Sequence, residues 1–285
     1  VSSTSTAPKP ARDRRPEPSA NPGPEELMRL ARIRRPHPLT IIGAVAAIGV
    51  VALSTQSSEL SFQAIAQGLP NIADFVGRMF PPDFSELPLA ISLMVETLGI
   101  AVTGTFFGVL IAVPLALWAS RTVYPNPWVR QTTRIFINVV RAVPELMWAL
   151  LFVSAVGLGP LAGTLAIIVG TAAGVGRLFS DIFEAADMRA WQAAAATGTR
   201  KSQRIAWVLL PQQLPTMTSY TLLILDSNVR AASLLGLVGA GGIGMELNQK
   251  LRLFEYGQVL TIVLVVLVVV IALDQVSSYV RKRLV

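Results

Sequence analysis

Asp226, Asn228 and Arg230 stand in a stretch whose other residues are mostly apolar. An arginine inside hydrocarbon costs on the order of 3 kcal/mol, so its presence asks for a partner or a purpose. Asp226 and Arg230 are four residues apart, and one helical face pairs them. Two readings stay open. The pair neutralises itself within the membrane, or the three residues line an aqueous path where Arg230 offers positive charge to an anion in transit. Arg141 with Glu145, and Arg177 with Asp181, invite the same four-residue pairing. Glu96 reads as an interfacial carboxylate near the end of a span.

Gly239, Gly241, Gly242 and Gly244 complete a G-x-G-x-x-G pattern. A dinucleotide fingerprint needs a strand before the glycines, an amphipathic helix after them and an acidic residue about 20 positions on. These glycines follow an apolar membrane-length run instead. They are expected to form a flexible or re-entrant loop near the mouth of a membrane bundle, where backbone can approach backbone. Other chemistry is missing. There is no cysteine, and the single histidine, His37, sits between two prolines. No Ser/His/Asp set, catalytic carboxylate pair, metal-ligand cluster or Gly-Lys-Ser/Thr phosphate loop is present. An enzyme is therefore not expected, and neither is ATP hydrolysis by this chain.

The elements that carry these residues must lie in lipid. Of 285 residues, 52% are hydrophobic and 14% charged, where a soluble domain carries about 25% charged residues. The predicted fold is all-α, a polytopic bundle of about six transmembrane helices. The expected spans are Leu39–Thr55, Thr97–Ala119 (with Leu87–Glu96 as a lead-in), Ile135–Leu158, Leu161–Phe183, Gln212–Leu237 and Tyr256–Tyr279. Gly99, Gly104 and Gly108 should allow close helix contact. Residues 1–38 are expected to form a disordered, basic, Pro-rich tail, with a short interfacial helix over Glu25–Arg35. Residues 39–86 supply the first span, retained rather than cleaved as a signal peptide, and an amphipathic segment broken at Pro70.

The net charge of +7 does not point to nucleic acid, because the basic residues flank apolar runs rather than covering one face. With the N-terminus inside, 20 of the 24 Lys and Arg fall on the inner side. The positive-inside rule then places both termini in the cytoplasm.

The same rule places Arg189–Pro211 there. This short basic island reads as a helix, a turn at Gly198 and a second short helix, followed by an apolar run opening on Pro211. Gln192-Ala193-Ala194, three residues, Gly198, nine residues, and Val208-x-Leu210-Pro211 resemble the EAA loop of ABC-importer permeases. Gln192 stands where that motif has Glu, and Val208 where it has Ile. Glu184-Ala185-Ala186 is a literal match upstream, but Ala190 stands where Gly is required.

Further segments narrow the resemblance: Val95-Glu96-Thr97-Leu98, Arg141-Ala142-Val143-Pro144-Glu145-Leu146, Gly176-Arg177-Leu178-Phe179, Asn228-Val229-Arg230-Ala231 and Leu235 through Gly244. From about Leu87 to Leu284 the chain is similar to permeases of phosphonate-class ABC importers. That resemblance implies the type I importer permease fold, with residues 87–285 as its transmembrane domain and a homodimer of two copies forming the pathway. It implies two separate ATPase subunits, which use ATP and Mg, docked on the 189–211 loop through Gln192, Ala193, Ala194, Gly198, Arg200, Lys201, Val208, Leu210 and Pro211. It also implies an extracytoplasmic binding protein delivering phosphonate, phosphate or phosphite, and no cofactor held by this chain. A methionine-class permease has a similar glycine-rich segment, and a self-contained secondary carrier would need internal repeats and no ATPase.

Overall fold

The computed structural model describes residues 38–57 and 62–284. The basic tail, His37 and the Glu25–Arg35 segment lie outside the described residues. Two compact units divide after Pro70. In the first, α1 (Pro38–Ser57) is a 20-residue helix over the expected first span. Helix α2 (Phe62–Met79) continues through Pro70 without a break, contrary to the sequence expectation.

The second unit is a helix bundle with no strand among its described residues. Helix α3 (Leu87–Ala119) has 33 residues, about 50 Å at 1.5 Å per residue. The expected lead-in and span are one continuous helix, longer than a 30 Å hydrocarbon core requires. Then come α4 (Pro127–Ala142), α5 (Glu145–Val156) and α6 (Pro160–Glu184). The stretch predicted as one span over 135–158 is not a single straight helix. Helices α4 and α5 meet at an 83° bend, because Val143-Pro144 is extended and Pro144 cannot continue a helix ladder. The bend also separates Arg141 from Glu145, and no ion pair forms between them. Arg177 and Asp181 do pair, at 3.2 Å.

Helix α7 (Met188–Ala196) follows, then α8 (Lys201–Arg204). The backbone runs from α8 through a π-helical turn, Ile205–Leu209, directly into α9 (Leu210–Leu235). Pro211 does not break the chain here. It directly follows the π-helical turn, where Leu210 N–H bonds the Ile205 carbonyl five residues back. Helix α10 (Ile243–Arg252) is short and polar, and α11 (Tyr256–Leu284) is the final apolar helix. Among the described residues four helical stretches are long and apolar enough to cross a membrane, or five if the bent α4–α5 pair counts as one broken span.

Helices α3 and α6 form the closest pair. A Cβ on Gly104 would come within 2.6 Å of Ile167 Cγ2, and one on Gly108 within 2.6 Å of Thr171 Cβ. In lipid there is no hydrophobic force between spans, so such close backbone approach supplies the packing. Gly99 faces open space and takes no part. One apolar cluster joins α3, α6, α9 and α11 around Ile100, Ile167 and Val229; a second, around Val123, Phe179, Phe183, Trp191 and Leu209, carries the α7–α8 end.

Replacing Gly104 or Gly108 by Val should therefore lower stability by about 1–3 kcal/mol, whereas Gly99→Val should be nearly neutral. Thermal unfolding of the three variants in detergent, followed by size-exclusion chromatography, checks this order.

Candidate functional site: a buried polar bridge, a packed glycine loop and a basic elbow

At the centre of the bundle, buried Asn228 donates from Nδ2 to Thr105 Oγ1 and Thr171 Oγ1, both at 2.8 Å. Thr105 in turn donates to the Ala101 carbonyl. Thr105 and Thr171 stand near the midpoints of α3 and α6, so Asn228 marks mid-depth. A buried amide with its donors satisfied fixes the rotation of α9 against the two helices. Asn228 is thus a structural bridge facing inward. The sequence signalled the Asn but held no sign of its two threonine partners.

One turn away, Arg230 Nη1 donates to Asp226 Oδ2 at 2.7 Å, as the four-residue spacing predicted. Asp226 is buried, while the Arg230 side chain is 52% exposed. Its guanidinium borders a cavity of about 280 Å³ between α9, α10 and α11, otherwise lined largely by Leu234, Ile243, Leu247, Ile262 and Val266. Asp226 and Arg230 come together, but Asn228 points to another face. The outward face of α9 is mixed: it presents Gln212, Tyr220 and Ser227 beside exposed Leu223 and Leu234. The exposed faces of α3 and α11 differ, carrying Val95, Val102, Phe106 and Leu110, and Val263, Leu267 and Ile271.

The glycines form a packed loop, not a flexible one. Ala240, Gly241, Gly242 and Gly244 are all buried. Gly242 has φ +72°, and a Cβ there would meet Thr97 Oγ1 at 2.5 Å. At Gly244 a Cβ would stand 1.9 Å from the Ser233 carbonyl. The Gly239 carbonyl accepts from Gly159 N–H at 2.9 Å, which ties the loop to the α5–α6 turn. Glu96 Oε1 accepts from Gly242 N–H at 2.9 Å, and Thr97 Oγ1 accepts from Ile243 N–H at 2.8 Å. The two α3 side chains satisfy backbone donors at the start of α10, where a carboxylate also complements the helix dipole. Glu96, expected to be only interfacial, is this cap.

The far end of α10 is held as firmly. Buried Lys250 lies 2.7 Å from Glu86, 3.0 Å from Glu255 and 3.5 Å from Glu246. The Glu86 carboxylate, with Glu255 beside it, holds the ammonium above the ordinary lysine range against the opposing effect of burial. Nearby Asp83 accepts from Ser85 N–H at 2.9 Å, which holds its carboxyl below the usual range. The spacing Glu246, Lys250, Glu255 was visible in the sequence as a signal for this cluster.

At the opposite end, Gly198 turns the chain between α7 and α8 at φ +77°, a conformation that favours glycine. Gln192, Ala193, Gly198, Arg200 and Pro211 are exposed; Ala194, Lys201, Val208 and Leu210 are half-buried. Lys201 Nζ sits 4.0 Å above the Tyr124 ring, and the Arg204 guanidinium 4.8 Å from that of Trp191. Thr197 and Thr199 both donate to the Ala194 carbonyl. Arg200 N–H donates to Gln203 Oε1 at 2.9 Å. The elbow is a braced bend whose outer surface is free of intramolecular cover. Trp207, 80% exposed on the π-helical turn, was not singled out from sequence. The literal Glu184 is engaged elsewhere: its Oε1 accepts from Arg134 at 2.5 Å and from Arg121 N–H at 2.7 Å.

The family model for the binding-protein-dependent transport system inner membrane component matches residues 104–285. This chain belongs to that family. It is a multi-pass membrane transport component. The phosphite transport system permease protein PtxC of Stutzerimonas stutzeri is 36% identical over 244 residues, covering 85% of this chain and 89% of that protein. HtxC of the same organism is 37% identical over 238 residues, 84% of each chain. The phosphate-import permease protein PhnE of Mycolicibacterium smegmatis is 36% identical over 217 residues, 76% of this chain and 41% of its own length. The fold matches a chain of the MetNI methionine ABC transporter in an inward-facing conformation, with TM-score 0.64 and 21% identity over 71% of this permease and 99% of that chain. Among the described residues no cluster of His, Cys, Asp or Glu could hold a metal ion.

Lys250→Met should destabilise the permease by about 2 kcal/mol, a value reduced because Glu86 and Glu255 are half-exposed. A raised lysine pKa stabilises below the ordinary value of 10.5 and is lost as pH rises through the folded value. The gap in melting temperature between wild type and Lys250→Met should therefore be steady near neutrality and close only above pH 10.5.

Proposed function

We propose that this chain is the permease of an ABC importer for an oxidised phosphorus anion: phosphite, phosphate or phosphonate. Two copies form the pathway, two ATPase subunits that bind and hydrolyse Mg-ATP themselves dock on the elbow, and an extracytoplasmic binding protein supplies the anion. The permease itself holds no cofactor, and both of its termini lie in the cytoplasm with the elbow. The relatives named for phosphite and phosphate transport support the substrate class.

The observation that carries the reading is the outward face of α9. Arg230 lies two residues from the mid-depth bridge and is half exposed, on a stripe that holds Tyr220 and Ser227 and also the exposed Leu223 and Leu234. A guanidinium cannot face acyl chains at that depth without large cost. Its exposed side must meet water or a second copy, and a path between two copies satisfies both. Asp226 orients the guanidinium and leaves most of its donors for an oxyanion, which Arg binds in a fork.

The glycine loop, capped by Glu96 and Thr97, serves as the outer gate in this scheme. The elbow, exposed at Gln192, Ala193, Gly198 and Arg200, is the ATPase contact, with Lys201, Val208, Leu210 and Pro211 bracing it from beneath. Because α8 continues into α9, movement at the elbow reaches Arg230 through a continuous helix. Access then alternates between the two sides. Gln192, in place of a motif glutamate, offers hydrogen bonds but no charge to the ATPase.

Replacing Arg230 by Ala would strand buried Asp226, so the informative variant is Asp226→Asn with Arg230→Gln. It should fold normally yet slow phosphite or phosphate uptake roughly tenfold to a hundredfold, the loss of one charge-assisted contact. Unchanged uptake kinetics in proteoliposomes would reject the pore role. Gly198→Pro or Ala194→Arg should separate ATP hydrolysis from uptake with the spans still inserted. Tightly coupled transport in either variant would remove the elbow from the mechanism.

A further inference from the structure

Helix α6 has one face that the chain leaves largely open. Gly170, Gly174, Arg177 and Asp181 follow one another at four, three and four residues, so they share it. A Cβ on Gly174 would meet nothing within 4 Å. The Arg177 and Asp181 side chains, paired with each other, are 32% and 52% exposed. At Gly170 a Cβ would stand 2.8 Å from Glu145 Oε1, so the first side chain of α5 lays its carboxylate against this face. No cation stands within ion-pair distance of Glu145 among the described residues.

Contacts with α6 set the level of the α4–α5 bend. Arg134 reaches Glu184, a Cβ on Gly176 would meet Ile137 Cδ1 at 3.7 Å, and Glu145 meets Gly170. Arg141 lies between Ile137 and Glu145 in the chain, and four residues from Ile137 it shares the side of α4 that packs on α6. Its level is therefore that of the opening at Gly174. Gly170 adjoins Thr171, which Asn228 holds at mid-depth. Arg141 thus stands just to the elbow side of the polar bridge. Arg230, two residues beyond Asn228 on a helix that starts at the elbow, stands just to the other side. The charges on this face are unevenly compensated. Asp181 neutralises Arg177. Glu145 occupies the first turn of α5, where a carboxylate complements the helix dipole. Arg141 is exposed, and among the described residues it has no carboxylate within ion-pair distance. Ionisable side chains this near the bilayer centre face a partner, the bundle interior or water.

We propose, building on the anion-import reading above, that this face of α6 is a water-filled groove from mid-depth toward the elbow, and that Arg141 is the station in it that receives the oxyanion after Arg230. The uncompensated guanidinium offers a fork of donors to the anion. Glu145, in the same groove, opposes a tight hold, and a site on a path must release what it binds.

The chain has no cysteine, and the space at Gly174 accepts one. The full chain with Gly174→Cys would be reconstituted in phosphatidylcholine nanodiscs, which expose both faces. It would be treated with two methanethiosulfonates, one ending in sulfonate and one in trimethylammonium, their rates corrected for reaction with a free thiol. Gly99→Cys, on the apolar face of α3 with Val95, Val102 and Phe106, is the comparison. The thiol at 174 should react with both reagents, and several-fold faster with the sulfonate. Added phosphite should slow that reaction. Arg141→Gln should remove the preference, and Arg141→Lys should keep it. A thiol at 174 as slow as that at 99 would mean that lipid or protein covers the face, and the groove would be overturned. Labelling without a preference for sulfonate would remove Arg141 as the station. So would a preference that survives Arg141→Gln or ignores phosphite. None of these readouts needs uptake. If they fail while Asp226→Asn with Arg230→Gln still slows transport, the groove falls and the pore role of Arg230 stands.

Discussion

The close approach of α3 and α6 is the constraint on which the bundle depends. Lipid offers no solvent penalty to drive apolar helices together, so association must come from contact and hydrogen bonds. Gly104 and Gly108 let the two backbones meet, Ile167 and Thr171 fill the space, and Asn228 fastens α9 to the seam. The apolar cluster around Ile100 and Val229 follows from this placement. Asp226 is turned toward the bundle, Arg230 away from it, and the asymmetry of that ion pair is set by the Asn228 bridge.

The two ends of the bundle solve different problems. At one end, α10 is tied down at both termini, by Glu96 and Thr97 at its start and by the Lys250 cluster near its close. This is a segment whose release would cost several identifiable contacts at once. At the other end, cation–π contacts and threonine caps stiffen the elbow internally and leave its outer face open. Stiffness with an uncovered surface suits a part that is pushed by another protein.

Much of this was legible in the residues. Composition and the apolar runs pointed to a polytopic helical protein, the Arg189–Pro211 island to the elbow, and spacing identified the Asp226–Arg230 pair. What local pattern could not show was long-range. Thr105 and Thr171 lie 123 and 57 residues from Asn228, and nothing near either threonine marks it as a partner. Glu96 reads as an edge charge until a backbone amide 146 residues away is brought to it. The run over 135–158 has the hydropathy of a span, but one proline turns it through 83°. Pro211, read as the start of a new segment, instead lies within a continuous rod, directly after the π-helical turn in which Leu210 N–H bonds the Ile205 carbonyl.

That rod has a phase as well as a length. The π-helical turn at Ile205–Leu209 is wound more loosely than the α-helix on either side. Adding or removing one residue there would leave the elbow and the Arg230 face of α9 intact as separate pieces. It would also rotate one against the other by about 100°. The register of five residues thus keys the azimuth of the guanidinium to the orientation of the elbow. Along this stretch, changes of side chain should be far better tolerated through evolutionary drift than changes of residue number.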